Sequence, residues 1–446
     1  MNNKLLSILF SILIVATILS GCISGGGDSD EVETTTAPPT TSAPTNAPTT
    51  SAPTTAAPTQ PPTTVPPTPT LVHNECSTSY RGLGPGNTRY YGCSLSNNPN
   101  ELWKAELSIL SYIMVDYDRA YLIARNSSDY ELQCLNVNTG ELYWATKLPF
   151  LRCYDLILLD EKLYVFEKGD EKTLKCYDAH DGELLWTSDD IMAEYPEIGD
   201  ISVGINHYNG KIIVTGGFSG ENRTLISCLD SHDGEIIWNA LVDYDNIHHY
   251  PAIENGIAYY SASLYEASDK IIGLDIDTGH MVYDFSKSSI DNFNGRRIAV
   301  SDGRIYAYAQ GLDTYDSYIY CISTSNSSVI WRSEMTFGHI TVGDDKVFIT
   351  TDDHIYCLDK ATGHQIWSKQ MEYHTINLPF ATNDKLIVFR SQYQTEVPPE
   401  IIYLDVNTGE EIWSMILEGT HLENGASFYE GKVLVGTENG YIYCFS

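Results

Sequence analysis

Residues 356–367 read YCLDKATGHQIW. The unit returns as IYLDVNTGEEIW at 402–413, SCLDSHDGEIIW at 227–238, KCYDAHDGELLW at 175–186 and QCLNVNTGELYW at 133–144. In each copy a short apolar run, a turn of the form Asp/Asn-x-x-Thr/Asp-Gly and a second apolar run ending on tryptophan describe two strands and their connection. Aligned on the aromatic end, the register runs Trp103, Trp144, Trp186, Trp238, Tyr283, Trp331, Trp367 and Trp413, at intervals of 41, 42, 52, 45, 48, 36 and 46 residues, and it uses all seven tryptophans of the chain. Ten residues before the second and later members stand Cys134, Cys176, Cys228, Gly273, Cys321, Cys357 and Tyr403. Each unit also carries two earlier β-type runs joined by Asp-rich turns, as in ITVGDDKVFIT and IAVSDGRIYAYA. Four short strands repeated every ~40–50 residues predict an all-β chain, a β-propeller in which radial repetition leaves only short edges.

The count predicts eight blades. A third-strand segment occurs for the eighth time at 441–446 (YIYCFS), where a following Trp would fall at position 454, past the last residue. Residues 101–105 (ELWKA), ahead of the first complete unit, supply the missing fourth strand, so the N-terminal strand completes the last blade and removes an open edge. Cys93 also stands ten residues before Trp103, but the intervening SNNPN lacks the turn signature, and the pairing is expected with 441–446.

These units resemble the pyrroloquinoline-quinone-type (PQQ-like) propeller repeat, whose A-x-D-x-x-x-G-x-x-x-W motif is matched nearly throughout 101–446. The segment SYRGLGPGNTRYYG followed by NELWK is similar to the lead-in of secreted members. The resemblance implies that each Trp docks a blade on its neighbour, the indole lying flat and its N–H reaching a backbone carbonyl. The fifth blade departs from the motif: CISTSNSSVIW lacks both Asp and Gly. The family divides into quinoprotein dehydrogenases, which hold the quinone over Ca²⁺ in the central channel, and scaffold propellers that bind none. The dehydrogenases need a stacking Trp, typically a Cys-Cys pair, and Glu, Asn and Asp on the metal. This chain has no Cys-Cys pair, no C-x-x-C-H haem site and no Trp outside the docking register. The expectation is a non-enzymatic branch, with no PQQ, no other cofactor and no metal.

Ahead of the propeller, residues 1–22 combine Lys4, an apolar run and Leu-Ser-Gly-Cys ending at Cys22. They resemble a lipoprotein signal with Cys22 as the lipidated residue; an uncleaved membrane anchor is the alternative. Residues 34–70 are almost entirely Thr, Pro, Ala and Ser, so 23–72 is expected to be a disordered stalk, reaching roughly 110 Å at about 3.1 Å per residue. Asn126, Asn222 and Asn326 head Asn-x-Ser/Thr sequons. The propeller is assigned to 73–446, outside the cytoplasm and tethered at the cell surface. Stalk and acidic domain together resemble surface lipoproteins of archaea. With 59 acidic against 26 basic residues, a net charge of −33 argues against nucleic acid or anionic lipid as a partner.

Six cysteines (134, 176, 228, 321, 357 and 444) occupy one strand position in different blades, too far apart to bridge, and are expected as buried thiols. Cys76, Cys93 and Cys153 remain, with Cys76–Cys93 the candidate disulfide. Candidate ligand residues are those leading into the innermost strands at the channel mouth: His248, His249, Arg296, Arg297, His339, His374 and His421, with Asp155 and Asp200. Histidines converging there could take a metal or an anion. No H-x-H or H-x-x-x-H spacing fixes such geometry, and the simpler expectation is a polar, wet channel lining. Taken together, the sequence predicts a membrane-tethered scaffold for an envelope protein partner. The alternatives are a carbohydrate- or envelope-polysaccharide-binding module, favoured by 31 tyrosines, and, less favoured, a quinone- or metal-dependent oxidoreductase.

Overall fold

The computed structural model describes residues 86–446 except 110, 127–128, 150–154, 196–200, 219–222, 245, 248–249, 265–266, 286–290, 293–297, 312–315, 337, 352, 372–378, 391–397, 420–425 and 438–439. Eight antiparallel sheets follow one another along the chain, each ordered from an innermost to an outermost strand. In seven of them the strands come from consecutive sequence. The eighth takes Ala426–Tyr429, Lys432–Thr437 and Tyr441–Phe445 from one end of the fold and Glu101–Glu106 from the other. Trp103 pairs with Cys444 across that junction. Beyond it, the Asn100 and Ser446 backbones exchange both hydrogen bonds, at 2.9 and 3.0 Å. The fold is the eight-bladed propeller the spacing predicts, closed where expected.

Second and third strands read as continuous apolar runs because both faces of a blade are covered by neighbours. Ile401, Ile402, Tyr403 and Leu404 are all buried in succession. The core therefore lies between blades: Tyr121, Leu132 and Cys134 of the first blade pack with Leu156, Leu163 and Tyr177 of the second.

The repeated unit explains the spacing of the blades. The ring of Trp367 lies against Gly409 of the next blade's turn, where a Cβ would come within 2.7 Å of the indole; Trp103, Trp144, Trp186, Trp238 and Trp331 cover Gly140, Gly182, Gly234, Gly279 and Gly363 in the same way. These glycines also have φ between 71° and 80°, so the position demands both the left-handed conformation and the missing side chain. The indole N–H donates to the carbonyl after the next blade's third strand: Trp103 to Val137 (2.7 Å), Trp238 to Ile276 (2.9 Å), Trp331 to Lys360 (3.0 Å) and Trp367 to Val406 (3.1 Å). Trp144 and Trp186 keep the stack but their buried N–H groups find no acceptor. At the equivalent carbonyls, Arg119 donates to Ala179 (3.5 Å) and the Tyr164 phenol to Ser231 (2.9 Å).

The two departures from the motif meet at one interface. Tyr283 replaces Trp in the fourth blade, and the turn it faces is the fifth blade's glycine-free STSNSS. Ser327 stands at the glycine's place with φ 55°. The phenol, smaller than an indole, meets that turn by donating to the Ser323 carbonyl at 3.3 Å.

Every outermost strand carries a β-bulge at the residue before the docking aromatic. Gln365 pairs with Leu358 and Trp367 with Cys357, so Ile366 has no partner; the same register shift recurs at Leu102, Tyr143, Leu185, Ile237, Val282, Ile330 and Ile412. A bulge bends the strand and interrupts its ladder, which blunts an edge that could otherwise template pairing with another chain.

Candidate functional site

The innermost strand of a blade turns its free edge toward the central axis, and its backbone N–H groups need partners there. On one side of the ring those partners come from the chain's own residues 86–95. The Gly86 carbonyl accepts from Val300 of the fifth blade (2.8 Å), Thr88 from Val342 of the sixth (2.8 Å) and Arg89 from Ala381 of the seventh (3.0 Å). Tyr91 N–H returns to Ala381 O at 2.9 Å, and Asn383 N–H donates to Cys93 O at 3.0 Å. Tyr91 and Leu95 then enter the core of the seventh and eighth blades beside Phe380 and Phe428. Asn87 and Arg89 are buried, with left-handed φ of 55° and 56°. The Asn87 amide donates to the Tyr250 and Ile298 carbonyls, each at 3.3 Å.

The Tyr250 phenol in turn lies 3.0 and 2.8 Å from the two carboxylate oxygens of Asp155, a link from the fourth blade to the second. Asp155, singled out by sequence as a rim residue, is therefore buried and engaged with its own fold. Within residues 86–95, the strap, Tyr90 donates to Asp344 (2.8 Å) and contacts the side chain of Asn383. Burial, then the Asp344 carboxylate, raise its phenol well above the ordinary range. It borders a cleft of about 400 Å³ between the sixth and seventh blades that also includes Asp345, Lys346, Asn383 and Asn407.

Lys360, the fifth residue of the opening unit, is buried between blades five and six. Its ammonium donates to Asp302 (2.7 Å), Ser301 Oγ (3.1 Å) and the Gly343 carbonyl (2.9 Å). That bond holds the Asp302 carboxyl below its usual range.

The six strand cysteines are free and buried. Burial pushes Cys134, Cys176, Cys228, Cys357 and Cys444 up to about 12 and Cys321 to about 11, so none offers a thiolate to an electrophile or a metal near neutral pH. Cys93 is disulfide-bonded to a cysteine outside the described residues. Cys22, Cys76 and Cys153 also lie outside them, as do His248, His249, Arg296, Arg297, His374, His421 and Asp200. His339 is described: it opens the sixth blade's innermost strand, half-buried. Among the described residues no group of three or more His, Cys, Asp or Glu is placed to hold a metal ion. Sequence reasoning marked residues 79–92 only as resembling a lead-in and missed the bonds of 86–93 to blades five to seven, because those are made by main chain and carry no periodic signal.

A family model described as outer membrane protein assembly factor BamB matches residues 95–198, 170–314 and 315–446. Among solved structures, the chain is similar to quinohemoprotein alcohol dehydrogenase from Comamonas testosteroni, with TM-score 0.64 and 12% identity over 83% of this chain and 80% of that one. It is similar to BamB from Moraxella catarrhalis with TM-score 0.57 and 14% identity, over 78% of this chain and 100% of the other. At such identities the likeness concerns the fold alone. The serine/threonine-protein kinase ATG1 of Kluyveromyces lactis is 32% identical over 95 residues, 21% of this chain and 11% of the kinase, a match too short to carry an activity.

Proposed function

The chain belongs to the family described as outer membrane protein assembly factor BamB, and from that premise we propose that it is a non-catalytic scaffold for protein partners outside the cytoplasm, held to a membrane through residues 1–72. The observation that carries this reading is the use made of the tryptophans. Six of the seven indoles cover turn glycines of neighbouring blades, and the seventh, Trp413, packs between Tyr403 and Phe445 in the core. None is left to stack a quinone on the axis. One side of the axis is lined by the strap, with Asn87 and Arg89 buried in it. Among the described residues, the docked tryptophans and the buried lining residues favour a propeller that holds no quinone.

The test is to isolate the full chain from its native membrane after mild crosslinking, and to assay the same preparation with quinone, Ca²⁺, a redox dye and alcohols or sugars. Stoichiometric protein partners without dye reduction are expected. Binding to envelope glycans with no protein partner would replace the scaffold with a carbohydrate-binding module, and quinone-dependent dye reduction would overturn the non-catalytic reading.

A further inference from the structure

The bonds between strap and blades have a regularity of their own. Val300, Val342 and Ala381 each stand four residues before the basic residue that opens the second strand, Arg304, Lys346 and Lys385. Three successive blades thus present the same N–H to the axis, and three carbonyls of one short segment, turned by the left-handed Asn87 and Arg89, take them. Bonds of this kind are made by backbone alone, one to the inner edge of each of three sheets. They do not by themselves require that the peptide be covalently part of the ring.

Side chains supply the selectivity. Position 86 must be glycine, since a Cβ would lie 2.3 Å from the Val300 carbonyl oxygen. Position 87 takes an amide that reaches two carbonyls and tolerates the left-handed backbone. Tyr91 places its ring 4.8 Å from Phe428 and 6.2 Å from Phe380.

We propose that the inner edges of blades five to seven form a peptide-binding groove, that residues 86–93 occupy it as an intramolecular ligand, and that a segment of a partner protein with the pattern Gly-Asn-x-Arg-x-Tyr takes their place in the same conformation. This goes beyond the scaffold reading, which stands whether or not the groove is exchangeable. The tether explains why the groove is filled: a ligand joined to its site sits at an effective concentration of about millimolar, and a free peptide competes only when the strap is weakened or withdrawn.

The test uses the full chain carrying Gly86→Val, with amide hydrogen exchange read on the peptides that contain Val300, Val342 and Ala381. In the parent protein these amides are protected. In the variant they are expected to exchange at least tenfold faster while third-strand amides keep their rates, and a synthetic peptide spanning residues 84–96, with Cys93→Ser, is expected to restore protection where a scrambled peptide does not. Unchanged exchange in the variant, or no recovery with the peptide, overturns the proposal. If Gly86→Val loses protection throughout, the same measurement on Asn87→Ala, which only removes atoms, decides it: a fewfold acceleration confined to the three amides and reversed by the peptide is the expected result, and its absence sinks the groove.

Discussion

At the scale of single residues the blade interface is a matched pair, an aromatic on one blade and a turn residue on the next. Where a Trp meets a turn, as six of the seven do, the turn residue is Gly; where the aromatic is Tyr283 the turn residue is Ser327. Tyr283→Trp alone is therefore expected to destabilise by about 1–3 kcal/mol through overpacking against Ser327. Combined with Ser327→Gly it should recover much of that loss, a coupling of ~1–2 kcal/mol readable in a double-mutant cycle of urea unfolding; additive effects would show that the two positions do not meet. Lys360 gives a second expectation. Lys360→Met removes three hydrogen bonds from a nearly buried ammonium and should cost roughly 1.5–3 kcal/mol, whereas Lys346→Met, removing an ion pair with the exposed Asp345 next to it, should cost under ~1 kcal/mol. The Trp-Gly half of this code was legible in the spacing. Its exception was not, because Tyr283 and the STSNSS turn lie about forty residues apart in sequence and become one feature only when blade follows blade around the ring.

At the scale of the strand, alternation was a poor guide to exposure. The bulge sets the residue before each docking aromatic apart from its neighbours, so Ile366 is 48% exposed beside a Trp that spans two blades. Ile366→Thr is expected to shift stability by less than about 0.5 kcal/mol, while Trp367→Ala, one position on, should cost about 3–5 kcal/mol; equal losses would mean that the bulge residue bears packing. The four-stranded blades could be read from apolar runs and turn residues. The strap could not, since GNTRYY has neither the period of a strand nor a motif, and its conformation depends on amides more than two hundred residues away. The channel-mouth histidines show the same limit: sequence places them at the starts of innermost strands but says nothing of whether they converge.

At the scale of the whole molecule, six thiols titrate together with the fold. An ordinary thiol ionises near pH 9, while burial raises these to about 11–12. The folded state therefore keeps protons that the unfolded chain has lost. Their stabilising contribution is complete below about pH 9 and falls as pH rises from there through the folded values. Thermal unfolding should accordingly show a midpoint that declines steadily above pH 9, and replacing Cys134 and Cys444 with Ala should flatten the decline; an unaltered slope would remove the thiols as its cause.

Closure of the eighth blade also places a condition on time. Trp103 and Cys444 are roughly 340 residues apart, and bringing such distant points together costs about 5 kcal/mol of chain entropy, a cost that no early contact in the last blade can offset. A nascent chain therefore carries Glu101–Glu106 as a waiting strand, its Trp103 able to dock on Gly140 of the first blade but its inner edge unpaired, until Tyr441–Phe445 has been made and delivered to the same place. A chain broken off earlier never acquires that partner. The ring thus reports on its own completeness, and an interrupted product is left with an unpaired strand edge for proteases to find.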